Sequence, residues 1–412
     1  MLKMLSSSDA PAIARLLDRR RTADRTVERR VARIVNDVRR VGDRALRRYA
    51  RQLDGLRGPI EVGPAEIDRA ARAVTPSVSR ALATAARNIR RVARRQRPQS
   101  WRETVAPGVV IEQRVRPLER VGCYVPSGRH PLPSSLLMTA IPAKIAGVAD
   151  VVVACPRPDD TILAAAKAAG VRCVYRMGGA HAIAALGYGT RSIPRVDKIV
   201  GPGNAYVTAA KARVAAVCPI DFVAGPTELV ILSARGRPDW IAADLVAQAE
   251  HDPEARAILI TTSRRLALAV AERATARATV SPIARLALAR NGAIVICRSM
   301  REAADLVNRI APEHLMVDHA SVSDQAWRAG TTFVGPYAAP AAGDYATGSN
   351  HVLPTGGAAS GRGGLSASDF VHVSTVQRVS RKGLLGLAST VITLAGAEGL
   401  RAHASSVEVR MP

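Results

Sequence analysis

The sequence predicts an α/β fold built from two units, and three observations carry the prediction. Helical segments alternate with short β-branched runs from residue 136 onward, a second set of the same rhythm follows residue 228, and a region of mainly helical periodicity precedes both. At the amino end, Val27, Val31, Ile34, Val35, Val38 and Val41 recur at helical spacing, Gly42 interrupts them, and Leu46, Tyr49, Ala50 and Leu53 resume the pattern. A further helix is predicted over 77–97, ended by Pro98, with residues 99–107 as a connection into short strands around 109–115. The first alternating set reads as helix 140–147 and strand 151–154, helix 162–169 and strand 171–175, helix 180–186 and strand 198–200. The second reads as strand 229–232, helix 239–251, strand 257–262, helix 264–276 and strand 293–297. Gly, Pro, Ala and Ser dominate 335–364, which predicts loops, and 366–403 is expected to return to helix.

With 412 residues, 48% of them hydrophobic, the chain can bury a core in each of two domains. No run of apolar residues is long enough for a membrane span, and Ser6, Ser7, Ser8 and Asp9 stand where a secretory leader needs an apolar core, so a soluble, cytoplasmic protein with no membrane partner is expected. Cys123, Cys155, Cys173, Cys218 and Cys297 are odd in number, widely spaced and set in apolar runs, which reads as reduced core residues rather than a disulfide framework. A net charge of +25 raises nucleic acid as a partner. Only six of the 59 basic residues are lysine, however, aromatic residues amount to 3%, and the arginines fall on the polar faces of amphipathic helices. Arginine dominance of that kind reads as a compositional bias, and no nucleic-acid partner is expected.

Four segments carry polar groups suited to chemistry. Gln248 and His251 stand three apart on one predicted helix, where an amide oxygen and an imidazole can converge on a metal. Glu313 and His314 place a carboxylate beside an imidazole after an apolar helix, the makings of two general bases. The loop from Ala342 through Thr355 packs Asp344, Asn350 and His351 among glycines that let backbone approach a ligand. Gly178-Gly179-Ala180 and Gly201-Pro202-Gly203-Asn204 each open a helix after a strand, where backbone N–H groups can face an anion; neither is the dinucleotide fingerprint, because Tyr206 occupies the place of its third glycine.

Taken in order, these segments resemble the histidinol dehydrogenase family from about residue 27 to 409. The matching stretches are Arg120-Val-Gly-Cys-Tyr124-Val-Pro, Pro133-Ser-Ser-Leu-Leu-Met138, Gly178-Gly-Ala-His-Ala-Ile-Ala-Ala-Leu186 and Val196-Asp-Lys-Ile-Val-Gly-Pro-Gly-Asn204. They continue with Ile220-Asp-Phe-Val-Ala-Gly-Pro-Thr-Glu228, Gln248-Ala-Glu-His251, Pro312-Glu-His-Leu315, the 343–355 loop and Glu398-Gly-Leu-Arg-Ala-His403.

The resemblance implies two incomplete Rossmann-like domains, one inserted in the other, with helical N- and C-terminal extensions exchanged in a homodimer. Its boundaries would be 1–22 for the N-terminal extension, 23–123 with 228–365 for the first domain, 124–227 for the inserted NAD-side domain and 366–412 for the C-terminal extension. It implies one Zn2+ per subunit held by Gln248, His251, Asp344 and His403, the last from a segment crossing to the partner. Glu313 and His314 would be the bases, Thr227, His351 and Glu398 would contact substrate, and Tyr124, His181 and Asn204 would contact NAD. The implied reaction oxidises L-histidinol through the aldehyde to L-histidine with two NAD, at the end of histidine biosynthesis. The rival readings are a related zinc and NAD dehydrogenase of another polar alcohol, of the sulfopropanediol type, and a non-enzymatic basic binding protein. Three positions depart from the usual family pattern: His181 replaces a glutamine, the stretch 127–130 lacks the usual paired glycines, and Thr227 replaces a serine while keeping the hydroxyl.

Overall fold

The structure is a computed structural model that describes residues 2–18, 25–127 and 131–412. Gly128, Arg129 and His130 of the departing loop, and the expected boundary between residues 22 and 23, lie outside the described residues. The strands in chain order are β1 (Lys3–Ser6), β2 (Glu61–Val62), β3 (Trp101–Ala106), β4 (Val109–Pro117), β5 (Arg120–Tyr124), β6 (Asp150–Ala154) and β7 (Cys173–Tyr175). There follow β8 (Lys198–Val200), β9 (Glu228–Leu232), β10 (Arg256–Thr261), β11 (Ala293–Ile296), β12 (His314–Val317), β13 (Thr331–Val334) and β14 (Val371–Val379). They form three sheets, in the orders β1-β11-β10-β9-β12-β13, β2-β7-β6-β5-β8 and β14-β4-β3.

The first sheet is parallel throughout and the second is parallel except for β2. Both are covered on two faces, which is why their strands are continuous apolar runs. Alternation sorts the side chains between the faces: Leu229, Ile231, Leu259 and Ile294 enter one core of the first sheet, and Val230, Leu232, Ile258, Ile260 and Val295 enter the other. Across the second sheet, Val121, Cys123, Val151 and Val153 face one core while Tyr124, Val152 and Ala154 face the other.

The strands distribute differently from the expected domain boundaries. A boundary between 123 and 124 would cut through β5, which lies inside the second sheet between β6 and β8. Residues 25–96, expected with the first domain, also pack on the second sheet: the helix Arg25–Val41 lies on Gly179–Tyr188 and Ala205–Val214, and the helix Pro76–Gln96 on Pro133–Ala146. The cause is the apolar stripe seen in the sequence, since Val31, Val35 and Val38 are buried among Ile183, Leu186 and Val207. Lys3–Ser6, expected in an extension, adds a parallel edge strand beside β11.

Two further expectations are corrected. The stretch 99–107 contains β3, and the return to helix at 366 is delayed by β14, which pairs antiparallel with β4 over nine residues. Val371, Val373 and Val379 alternate with polar residues in β14, a strand signature, but both faces are largely exposed, so the apolar period is weak. Gly108 turns between β3 and β4 at φ +84°, where a Cβ would stand 2.3 Å from Ser380 Oγ, so the turn also seats the start of the helix Arg381–Ala397. That helix and Arg401–Glu408 form an arm whose main contacts are with each other and with β14. All five cysteines are free, and four are buried. Among the described residues no helix is long and apolar enough to cross a membrane.

Candidate active site

Strand order creates the site. In the first sheet the chain runs from β9 outward through β10 and β11 on one side and to β12 and β13 on the other, so β9 and β12 are neighbours across a change of direction. His314 pairs with Leu229 in register, which brings Thr227 and Glu228 at the start of β9 against Glu313 and His314 at the start of β12. The approach to Glu313 is tight. Ala311 takes φ +47°, left-handed for a residue with a side chain, and Pro312 follows. A single such residue costs roughly 1–2 kcal/mol.

Glu313 is buried, and its Oε2 accepts from Thr227 Oγ1 at 2.6 Å and from the Glu228 N–H at 2.8 Å. Burial pushes its carboxyl up to about 7, against the pull of His314 and these two donors. The Thr227 hydroxyl has one proton, which Glu313 takes, so the contact with Gln248 Nε2 at 2.6 Å must be one in which the amide donates. The Gln248 Oε1 is thereby turned away from Thr227 and kept as a free acceptor.

His314 Nδ1 lies 3.2 Å from the Glu228 carbonyl, which can only accept, so Nδ1 carries the hydrogen and Nε2 faces Asp344 Oδ1 at 3.6 Å. Burial works to lower the His314 pKa, but the charges of Glu313 and Asp344 outweigh it and the net shift is upward. Phe333 stacks on the imidazole at 5.9 Å between centroids. Burial would raise Asp344, yet its bond to His314 and the nearby His351 and His251 hold it below the usual carboxylate range. His351 donates from Nδ1 to the Asp344 carbonyl at 2.9 Å, meets Ser135 Oγ through Nε2 at 3.4 Å, and is held neutral by burial, which lowers its pKa.

Gln248, Thr227, Glu313, His314, Asp344 and His351 therefore form one connected network. His251 lies beyond the helix Pro238–Ala249 instead of within it, exposed, and near enough to Asp344 to act on its charge. Glu398 and His403 are exposed on the C-terminal arm, and neither forms a hydrogen bond or ion pair with this network in its own chain. Among the described residues no three His, Cys, Asp or Glu side chains gather as a metal cluster.

The second sheet carries the other predicted contacts. Its order β7-β6-β5-β8 changes direction between β5 and β8, the point at whose carboxyl edge doubly wound folds bind ligands. Tyr124 ends β5, and its hydroxyl accepts from the Gly179 N–H at 3.0 Å. Asn204 caps the helix Ala205–Val214 through Oδ1, which leaves its Nδ2 for another partner. His181 is fully buried, with Nε2 at 2.8 Å from Asp54 Oδ2 and Nδ1 without a partner.

Positioning residues gave uneven signals in the sequence. Asn88 donates to the Ala346 carbonyl at 2.7 Å, and Asn350, singled out as a loop polar group, is buried and donates to the Met138 carbonyl at 2.7 Å; both hold the 342–355 loop in place. Asp54, which orients His181, is another, visible in the sequence only as part of an Asp-Gly turn.

A sequence model described as histidinol dehydrogenase matches residues 17–411. The chain is similar to the histidinol dehydrogenase of Syntrophotalea carbinolica, at 44% identity over 100% of this chain and 99% of the relative. It is equally similar, at 44% identity over the whole of both chains, to that of Methanothermobacter thermautotrophicus. The crystal structure of histidinol dehydrogenase from Elizabethkingia anophelis matches with a TM-score of 0.94 and 32% identity, over 99% of this chain and 98% of that one.

Proposed function

Because the chain belongs to the histidinol dehydrogenase family of NAD-dependent oxidoreductases, we propose that it oxidises L-histidinol through L-histidinal to L-histidine with two NAD, the closing steps of histidine biosynthesis, in the cytoplasm. The observation that carries this reading is the connected network in which a carboxyl poised near neutrality adjoins an imidazole whose Nδ1–H is held on the Glu228 carbonyl, leaving Nε2 toward Asp344 at 3.6 Å. Oxidation of the alcohol and addition of water to the aldehyde each release a proton, and the network offers an acceptor for each side by side.

The residues present fit a zinc ion. Gln248 offers a free amide oxygen, Asp344 an ionised carboxylate and His251 an exposed imidazole, a nitrogen and oxygen donor set that zinc accepts. A fourth donor, His403, comes in this reading from the arm of a second subunit, as does Glu398 for the substrate. Exposed apolar residues along the arm support the homodimer: Leu394 is 58% exposed, Leu400 42% and Val409 73%. The unpartnered His181 Nδ1, the free Asn204 Nδ2 and Tyr124 support NAD at the edge between β5 and β8. When bound, zinc orients and polarises the amino alcohol and NAD accepts hydride.

In the first oxidation His314 takes the hydroxyl proton at Nε2. Its Nδ1–H stays on the Glu228 carbonyl, which fixes the tautomer during the transfer. In the second, Glu313 takes a proton from the water that adds to the aldehyde. Its elevated pKa makes it a strong enough base for that task while leaving a usable fraction ionised at neutral pH. His351, kept neutral, and Thr227 position the substrate.

The test is NADH formation by purified, zinc-loaded protein given L-histidinol and NAD, followed to completion. Two NADH per histidinol, abolished by a chelator and restored by zinc, is the expected result. No NADH from histidinol with zinc bound would overturn the reading in favour of a different polar alcohol.

A further inference from the structure

The turn that follows β8 is held from behind by an ion pair that the reaction itself does not use. Lys211 Nζ and an Asp221 carboxylate oxygen are in contact, and their side chains are 3% and 1% exposed. Burying two charges costs several kcal/mol per ion before their attraction is counted, and hydrophobic replacement is often neutral or better, so such a pair is weak evidence for stability alone. What it does locally is specific. Asp221 Oδ2 accepts from the Gly201 N–H at 2.8 Å and Lys211 Nζ donates to the Gly201 carbonyl at 2.9 Å, so both polar groups of one glycine are clamped by the two charges. Gly201 has φ +116°, and a Cβ there would stand 2.1 Å from the Tyr124 carbonyl oxygen, so the clamp presses this backbone against the end of β5. Asp221 Oδ1 also accepts from the Phe222 N–H at 2.7 Å, at the start of the segment that leads to Thr227.

We propose that Lys211 and Asp221 are positioning residues for the dinucleotide: by clamping Gly201 they set the Gly201-Pro202-Gly203-Asn204 turn at the distance from Tyr124 that the cofactor requires. The inference rests on the reading that places NAD at Tyr124 and Asn204. A pair that merely stabilised the domain would act on melting alone, whereas a positioning pair acts on NAD affinity while sparing the chemistry on histidinol.

The experiment compares zinc-loaded wild type with the double variant K211M/D221N, which removes both charges together and leaves neither ion stranded. NADH affinity is read by fluorescence titration and the kinetic constants by steady-state assay. We expect the Kd for NADH and the KM for NAD to rise tenfold or more while kcat falls less than threefold. A cooperatively melting double variant that binds NADH within twofold of wild type overturns the inference. Should the double variant fail to fold, Lys211→Arg decides: its longer head group should raise the KM for NAD at least threefold at constant kcat, and an unchanged KM overturns the inference. Asn204→Asp, which keeps the helix cap but replaces the free N–H donor by a negative oxygen, separates the two readings. Weakened NADH binding there with no effect of K211M/D221N rejects the clamp alone, while no effect of either rejects the cofactor position.

Discussion

Thr227 Oγ1 stands 2.6 Å from Glu313 Oε2 and donates its single hydroxyl hydrogen in a bond to that carboxylate, which is also why the Gln248 amide must turn its N–H toward Thr227. One hydroxyl thus sets both the basicity of the proposed catalytic carboxyl and the orientation of the proposed metal donor. Thr227→Val removes the donor at nearly constant volume, so the Glu313 pKa should rise further and the acid limb of the pH–rate profile should move to higher pH. Zinc content should fall at the same time, because the Gln248 amide loses its constraint. Thr227→Ser keeps the hydroxyl and should stay within about threefold of wild-type turnover, a change below 1 kcal/mol in the barrier. A Val variant with an unmoved pH profile would remove Thr227 from this role.

Glu313→Gln should separate activity from stability. The folded-state pKa of about 7 lies above the ordinary 4.5, so the fold favours the protonated form; this contribution is fully present below about pH 4.5 and is lost as pH rises through 7. At pH 8 the wild type holds a carboxylate where its fold prefers a neutral group, a penalty on the order of 3 kcal/mol. The amide variant should therefore melt higher than wild type at pH 8 and lose that advantage near pH 5, while turnover falls by about 10²–10⁴. Equal pH dependence of melting in the two proteins would contradict the assignment.

His314→Ala should lower turnover by about 10²–10⁴, the ordinary effect of losing a general base. Zinc content by metal analysis and histidinol binding by calorimetry should stay close to wild type, since His314 is not among the proposed metal donors. Unchanged turnover would exclude it from the mechanism.

His403→Asn should weaken zinc binding although residue 403 is exposed on the arm and forms no hydrogen bond or ion pair with the other proposed donors in its own chain. Zinc retained at wild-type level through dialysis against a weak chelator would contradict a fourth donor at this position.

The sequence revealed the alternating elements well, because strands buried on both faces are continuous β-branched runs and the helices between them are either amphipathic, as Met300–Ile310 is, or apolar throughout, as Pro133–Ala146 is. It revealed β14 poorly, because a strand exposed on both faces loses the burial that makes periodicity visible, and its partner β4 lies far away in the chain. The pair Glu313 and His314 was legible as neighbours. Their link to Thr227 was not, since it depends on β9 and β12 lying side by side, a matter of strand order that local spacing does not encode. Likewise no local pattern marks Asn88 as the anchor of the 342–355 loop or Phe333 as the ring beneath His314. The amphipathic helices of 25–96 likewise announce that they cover a sheet without saying which one.

In the proposed homodimer, an arm that carries Glu398 and His403 away from the network of its own chain would make catalytic competence a property divided between polypeptides. Two variants that are each inactive, one lacking His314 and one lacking His403, should then regain activity when unfolded together and reassembled. Each mixed dimer pairs one intact network with one intact arm, and random assembly of equal amounts should restore roughly a quarter of the sites, as mass action over the three dimer species dictates.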